Sequence, residues 1–267
     1  KPVIGVQDSA WGLLDGMKGS DFELAVHPCD RGSKTLVQDI RSFIERQRLF
    51  GVVLTPSVSE DEAVAEMLRD TSCNYVRVAS VPVDADAHMI VTQDRHGGRL
   101  AGRHLGELGH TRVGLLSGPP TFRSAFERRA GLEEGLAEFG VTLAPENVEV
   151  GAYTFESGLE AAARLLQRSP RPTAIFAGND EMAAGALHAA RRAGLTVPDD
   201  LSVIGFDDFQ IASRVWPPLT TIRAPTREIG RLAAEKLIGQ GAEGTGEPAD
   251  RLSSLVVRAS TAGPKSS

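Results

Sequence analysis

Short apolar runs, nearly continuous in Val and Ile, recur along this chain with longer amphipathic stretches between them. The runs are VIGV (3–6), FELAVH (22–27), GVVLT (51–55), YVRVA (75–79), MIVT (89–92), RVGLLS (112–117), AIFAG (174–178) and LSVIGF (201–206). A strand with one wet face alternates polar and apolar residues; a strand covered on both faces does not. These runs therefore predict parallel strands buried between helical layers. The stretches 34–48, 60–70, 97–108, 124–139, 156–168, 180–193 and 226–239 predict the helices. Several helices close on glycine, as in ELGHTRVGLL, EFGVTL and RAGLTVP, where a left-handed residue stops the turn. Asp30, Ser33 and Ser59 are candidate caps for helices that follow them. The alternation predicts an α/β, doubly wound, Rossmann-like architecture.

The strands are too many for one small sheet. The prediction is two lobes of parallel sheet, dividing near residue 92, with a ligand in the cleft between them. Ligands in such folds sit beyond the carboxyl ends of the strands. The residues that matter most are then Gln7-Asp8, Thr55 to Ser57, Ser117 to Ser124, Gly178-Asn179-Asp180 and Asp207-Asp208.

Bulk numbers narrow the function. The chain has 267 residues, 41% of them hydrophobic, which suffices for two cores. Its net charge of -6 opposes a surface that grips nucleic acid or anionic membrane unaided. No apolar run approaches the roughly 20 residues of a membrane span. Cys29 and Cys73 lack metal-site spacing, so no metal is predicted, and a reducing, cytoplasmic setting fits them. A formal GxGxxG at Gly239, Gly241 and Gly244 follows a helix instead of a strand. It is read as chance, and no cofactor is predicted. Lys1-Pro2 leads straight into VIGV without a signal peptide, which suggests that something upstream has been removed.

Several residues are candidates for ligand contact. Asp207 ends an apolar run and can accept from two adjacent hydroxyls; the alternative is a helix cap. Asp208 is assigned the cap. Asn179 offers donor and acceptor together, which suits a sugar hydroxyl, and Asp180 is then the cap. Either of that pair can fill either role. Arg128 lies in FRSAFERRAGLEEGL (122–136), a helix whose Phe126, Leu132, Leu136 and Phe139 are expected to be buried on one face. Its guanidinium can grip two ligand oxygens, or else pair on the surface with Glu127 or Glu133. Phe122 and Tyr153 are loop aromatics beside strand ends. No nucleophile, base and orienting group come together, so no enzyme is predicted.

Five segments carry a resemblance: GELGHTRVGLLSGP (106–119), RRAGLEEGL (128–136), PTAIFAGNDEMAAGAL (172–187), GLTVPDDLSVIGFDD (194–208) and PPLTTIRAPTREIGRLAAEKLI (217–238). Together they resemble the effector-binding core of LacI-family transcriptional regulators, over residues 30 to 258. The resemblance implies a periplasmic-binding-protein-like fold of type I, with lobes of 1–91 plus 224–250 and 92–223 plus 251–260, joined by three crossovers. Arg128 matches the arginine that grips the effector. Asp207 matches the first aspartate of the strand end that binds effector hydroxyls. Asn179 matches the Asn of the family's A-N-D, although Gly178 precedes it here. Tyr153 falls where the family places an aromatic against the ligand. Ser124 and Phe122 fall on a loop that varies with the effector, and Thr55 on the strand-end loop of the first lobe. Pro217 to Ile222 looks like the third crossover.

The resemblance further implies a small polar effector, a carbohydrate, and a homodimer that uses the helices near 34–48 and 59–70. Nothing like a helix-turn-helix headpiece precedes Val3. Operator DNA is therefore expected to be met only through a headpiece that is not in this sequence. The first βα unit is also short: only residues 7–21 separate VIGV from FELAVH, so Asp8 and Trp11 are weaker ligand candidates. The second reading is a periplasmic sugar receptor of an uptake system, which shares the architecture.

Overall fold

A computed structural model of the chain describes residues 6–56, 58–239 and 253–265. The elements, in chain order, are α1 (Val6–Gly16), α2 (Leu36–Gln47), β1 (Gly51–Leu54), α3 (Glu62–Asp70), β2 (Asn74–Ala79), β3 (Met89–Val91) and α4 (Asp94–Glu107). There follow β4 (Val113–Ser117), α5 (Arg123–Ala137), β5 (Val148–Val150), α6 (Phe155–Leu166), β6 (Ala174–Ala177) and α7 (Asp180–Arg192). The last are β7 (Ser202–Asp207), α8 (Gln210–Arg214), β8 (Thr220–Arg223), α9 (Thr226–Leu237) and β9 (Ser254–Val256). The chain divides into two compact units, Lys1–Thr92 with Pro225–Arg251 and Gln93–Ala224 with Leu252–Ser267.

In the first unit β1, β2 and β3 form a parallel sheet in that order. Tyr75 faces the side chains of Leu36, Ile40 and Ile44 on α2 and Val64 and Leu68 on α3. Val76 and Val78 face Leu13 on α1 and Ile229 and Ala233 on α9. The period of two along β2 thus serves two helical layers.

In the second unit the strand order is β5-β4-β6-β7-β8-β9, parallel throughout except for β9, which pairs antiparallel with β8. Phe176, Ile204, Phe206 and Ile222 pack with Leu105, Leu132 and Leu136 of α4 and α5. Ile175 and Val203 pack on the other face with Leu165 and Met182 of α6 and α7. Each such buried side chain contributes about 1.5–3 kcal/mol. This double cover is why these strands read as continuous apolar runs.

Some expectations are corrected. FELAVH is not a strand: residues 22–30 pair with no sheet, and Val26 is 60% exposed. An apolar composition alone does not make a strand; a strand needs a ladder, and this run pairs with none of the described strands. VIGV falls on residues outside those described, apart from Val6, which opens α1. The caps also differ. Thr35 precedes α2, and Asp61 caps α3 by accepting from the Val64 N–H; Ser59 does not. Pro217 to Ile222 is no crossover, because Thr220 to Ile222 are buried in β8 and pair with β7. Phe126 and Phe139 are exposed, and α5 buries Leu132 and Leu136 without them.

Candidate functional site

In the second unit β4, β5, β6 and β7 are parallel, so Ser117, Val150, Ala177 and Asp207 end on one edge of the sheet. Arg128 reaches that edge from the second turn of α5. Its Nε donates to the Asp94 carboxylate at 2.7 Å, and its Nη1 donates to the Gly178 carbonyl at the end of β6. Its Nη2 lies 3.6 Å from the Asp207 carboxylate, and its central carbon sits 3.7 Å over the Phe206 ring. The side chain is 14% exposed. A guanidinium has five N–H groups. The Asp94 carboxylate and the Gly178 carbonyl engage one each, which leaves hydrogens on Nη1 and Nη2 for ligand oxygens.

Local sequence explains why the arginine sits there. Asp94 is the first residue of α4, where the helix dipole favours a carboxylate. α4 and α5 cross through glycines. A Cβ at Gly98 would overlap the Arg128 carbonyl, and one at Gly131 would overlap the Arg95 carbonyl. The missing side chains let the two backbones approach, and that approach joins Asp94 to Arg128.

Asp207 sits in an unusual backbone. Its φ is 108° and that of Asp208 is 59°, and Tyr153 across the edge has φ 60°. Left-handed conformations in non-glycine residues cost about 1–3 kcal/mol each and gather at functional sites. Burial pushes the Asp207 carboxyl up to about 7, with Arg128 pulling down and Asp94 pushing further up. Behind it, the fully buried Asp180 accepts from the Phe209 N–H at 2.8 Å and the Thr221 hydroxyl at 2.6 Å. Burial, with the Asp207 charge added, pushes Asp180 up to about 8.

Tyr153 and Phe122 form an aromatic corner, their rings 5.7 Å apart and nearly perpendicular. The Tyr153 hydroxyl is 3.5 Å from the Ser124 hydroxyl. Its ring lies over Gly118, where a Cβ would overlap it. Burial raises the Tyr153 phenol above its ordinary value. The edge therefore offers charged donors, a carboxylate and aromatic surface within one unit.

Six of the eight predicted site residues belong to this unit: Phe122, Ser124, Arg128, Tyr153, Asn179 and Asp207. Thr55 and Asp8 belong to the first. Thr55 follows β1, is exposed, and accepts from the Val58 and Ser59 N–H groups through its carbonyl. Asp8 lies in the first turn of α1, not in a strand-end loop, and Trp11 is exposed on the same helix.

Roles within the edge also change. Asn179 is the cap of α7: its Oδ1 accepts from the Met182 N–H at 2.9 Å, while its amide donates to the Tyr153 carbonyl at 3.1 Å. Asp180 caps nothing and instead holds β8 and the turn after β7. Asp208 is no cap either, since it pairs with Arg223 at 2.7 Å and with Arg258. Arg128 is not a surface pair, and Glu133 is bound by Arg129. Asp94, the Gly178 carbonyl, the Phe206 face and Asp180's buried role were missed. A carboxylate just ahead of the Gly97-Gly98 pair was the signal for Asp94.

A family model described as a periplasmic binding protein-like domain matches residues 103–261, more than half of the chain. The sequence is 33% identical over 229 residues to the HTH-type transcriptional regulator CelR of Thermobifida fusca, covering 80% of this chain and 67% of that protein. It is 35% identical over 231 residues to the ribose operon repressor of Escherichia coli K12, covering 85% of this chain and 69% of the repressor. A solved structure of a CelR–cellobiose complex superposes with a TM-score of 0.82 at 30% identity, over 96% of this chain and 79% of that one. These relatives are transcriptional regulators, which favours the first of the two readings over an exported receptor.

Proposed function

The chain belongs to the LacI family of transcriptional regulators, and from that premise we propose that it is an effector-sensing core whose ligand is a small carbohydrate held at the Arg128–Asp207 edge. One observation carries the proposal: a half-buried arginine and a half-buried carboxylate, neither saturated by its neighbours, lie at the carboxyl ends of the strands beside an aromatic corner. Arg128 would donate to sugar oxygens, Asp207 would accept from sugar hydroxyls, and Phe122 and Tyr153 would cover an apolar ring face. Such charge-assisted bonds are worth about 1.5–3 kcal/mol each. The sugars in the relatives' names support the ligand class: a solved CelR complex contains cellobiose, and the E. coli relative represses a ribose operon.

Thr55 and Asp8 are kept as first-unit contacts of lower rank. Ligand binding would favour one arrangement of the protein only through its differential affinity for that arrangement. DNA would be bound through a headpiece outside this sequence, by a homodimer in the cytoplasm. The homodimer would form through α2 and α3 of the first unit. Binding occurs without chemistry; steady turnover of a bound sugar would contradict this. The test is a thermal-shift panel of mono- and disaccharides, with cellobiose and D-ribose included and amino acids as controls. Saturable stabilisation by a sugar is expected. Stabilisation by the amino acids alone would sink the carbohydrate reading.

A further inference from the structure

Asp207 does not hold its own conformation. Its backbone and that of Asp208 are both left-handed, at φ 108° and 59°. An isolated chain of L-residues leaves that region readily unless something over-determines it. The Asp207 side chain supplies little restraint, because its ion-pair partner, Arg128 Nη2, stands 3.6 Å away.

Asp180 holds the far side of the turn through the Phe209 N–H, and the restraint on the near side comes from the next residue. The Asp208 carboxylate is largely buried and bound at both oxygens. Oδ2 accepts from Arg223 Nε at 2.7 Å, and Oδ1 accepts from Arg258 Nη2. Both arginines are anchored by strands. Arg223 is the last residue of β8 and stands opposite Asp207 in the ladder. Arg258 follows β9, donates through Nη1 to the Leu219 carbonyl at 2.7 Å, and donates its backbone N–H to the Thr220 hydroxyl. One buried carboxylate thus ties the turn after β7 to the two strands beyond it.

We infer that Asp208 is a positioning residue for ligand binding: its ion pairs to Arg223 and Arg258 hold the Asp207 turn left-handed and aim the Asp207 carboxylate at the ligand. This rests on the reading of Asp207 as the ligand-facing carboxylate.

Two measurements test it, and the first needs no ligand. Backbone chemical shifts and the HN–Hα coupling report φ at Asp207. Asp208→Asn removes the charge while leaving a residue that tolerates a left-handed φ. Arg223→Met removes one partner at an exposed position and serves if Asp208→Asn folds poorly. In each variant Asp207 is expected to leave its φ near 108°, and an unchanged φ in both overturns the inference.

The second measurement is a calorimetric cycle with cellobiose. Asp208→Asn and Arg258→Met should each weaken binding by about fivefold. Added to Asp207→Asn, either should weaken it no further, because both act through Asp207. A merely structural role predicts additive losses, and additivity would overturn the inference. If Asp207→Asn itself leaves cellobiose affinity unchanged, the site reading fails instead, and the backbone measurement still decides the role of Asp208.

Discussion

Arg128 and Asp207 do different work although they sit side by side. The arginine is fixed by Asp94, Gly178 and the Phe206 ring, so it meets a ligand already oriented. A lysine there keeps the charge and loses the fork. Arg128→Lys should therefore weaken sugar binding at least about tenfold, with folding retained, as read by calorimetry. Unchanged affinity would mean that shape is not what Arg128 provides. The two raised carboxyls predict an unusual acid–base profile. Asp207 and Asp180 keep their protons to about 7 and about 8, against an ordinary value of 3.8. The folded chain thus binds more protons than the unfolded chain between about pH 4 and 8. The stability these groups contribute is full below that window and is lost as pH rises through it. Asp180→Asn fixes one group neutral. Its melting temperature should fall less between pH 5 and 8.5 than that of the unaltered chain, and an equal fall would contradict the burial argument.

At the scale of elements, helix crossings set the site. Gly98 on α4 lies against the backbone of Arg128 on α5, and a backbone cannot swing aside as a side chain can. Gly98→Ala should cost about 1–3 kcal/mol in chemical denaturation, because overpacking must push α4 and α5 apart. It should also loosen the Asp94–Arg128 pair and weaken binding; a neutral result would show the crossing to be slack. Asn179→Ala removes the cap of α7 and should cost about 1 kcal/mol in the same assay. The sequence was most legible where burial is two-sided: RVGLLS, AIFAG and LSVIGF all lie on strands, and their ends mark the edge. It misled where one signal serves two structures. FELAVH has a strand's composition and no ladder. The resemblance makes Pro217 to Ile222 the third crossover, yet Thr220 to Ile222 form β8, where the buried Thr221 hydroxyl is satisfied by Asp180. Asp180 and Asn179 could not be told apart in sequence, because both residue types cap helices and only the fold decides which one the first turn reaches.

At the scale of the whole molecule, the family provides what no single residue states: the relatives of this chain are transcriptional regulators. Association through the first unit should appear as a dimer in sedimentation at micromolar concentration. A monomer across that range would contradict it. The central claim, that a sugar is gripped between Arg128 and Asp207, is tested most directly by calorimetry. The sugar that stabilises the chain most in the thermal-shift panel would be titrated into the unaltered protein and into Asp207→Asn. The account predicts saturable binding by the former and at least about tenfold weaker binding by the latter, with its fold intact. Equal affinity in the two proteins would contradict it and place the sugar elsewhere.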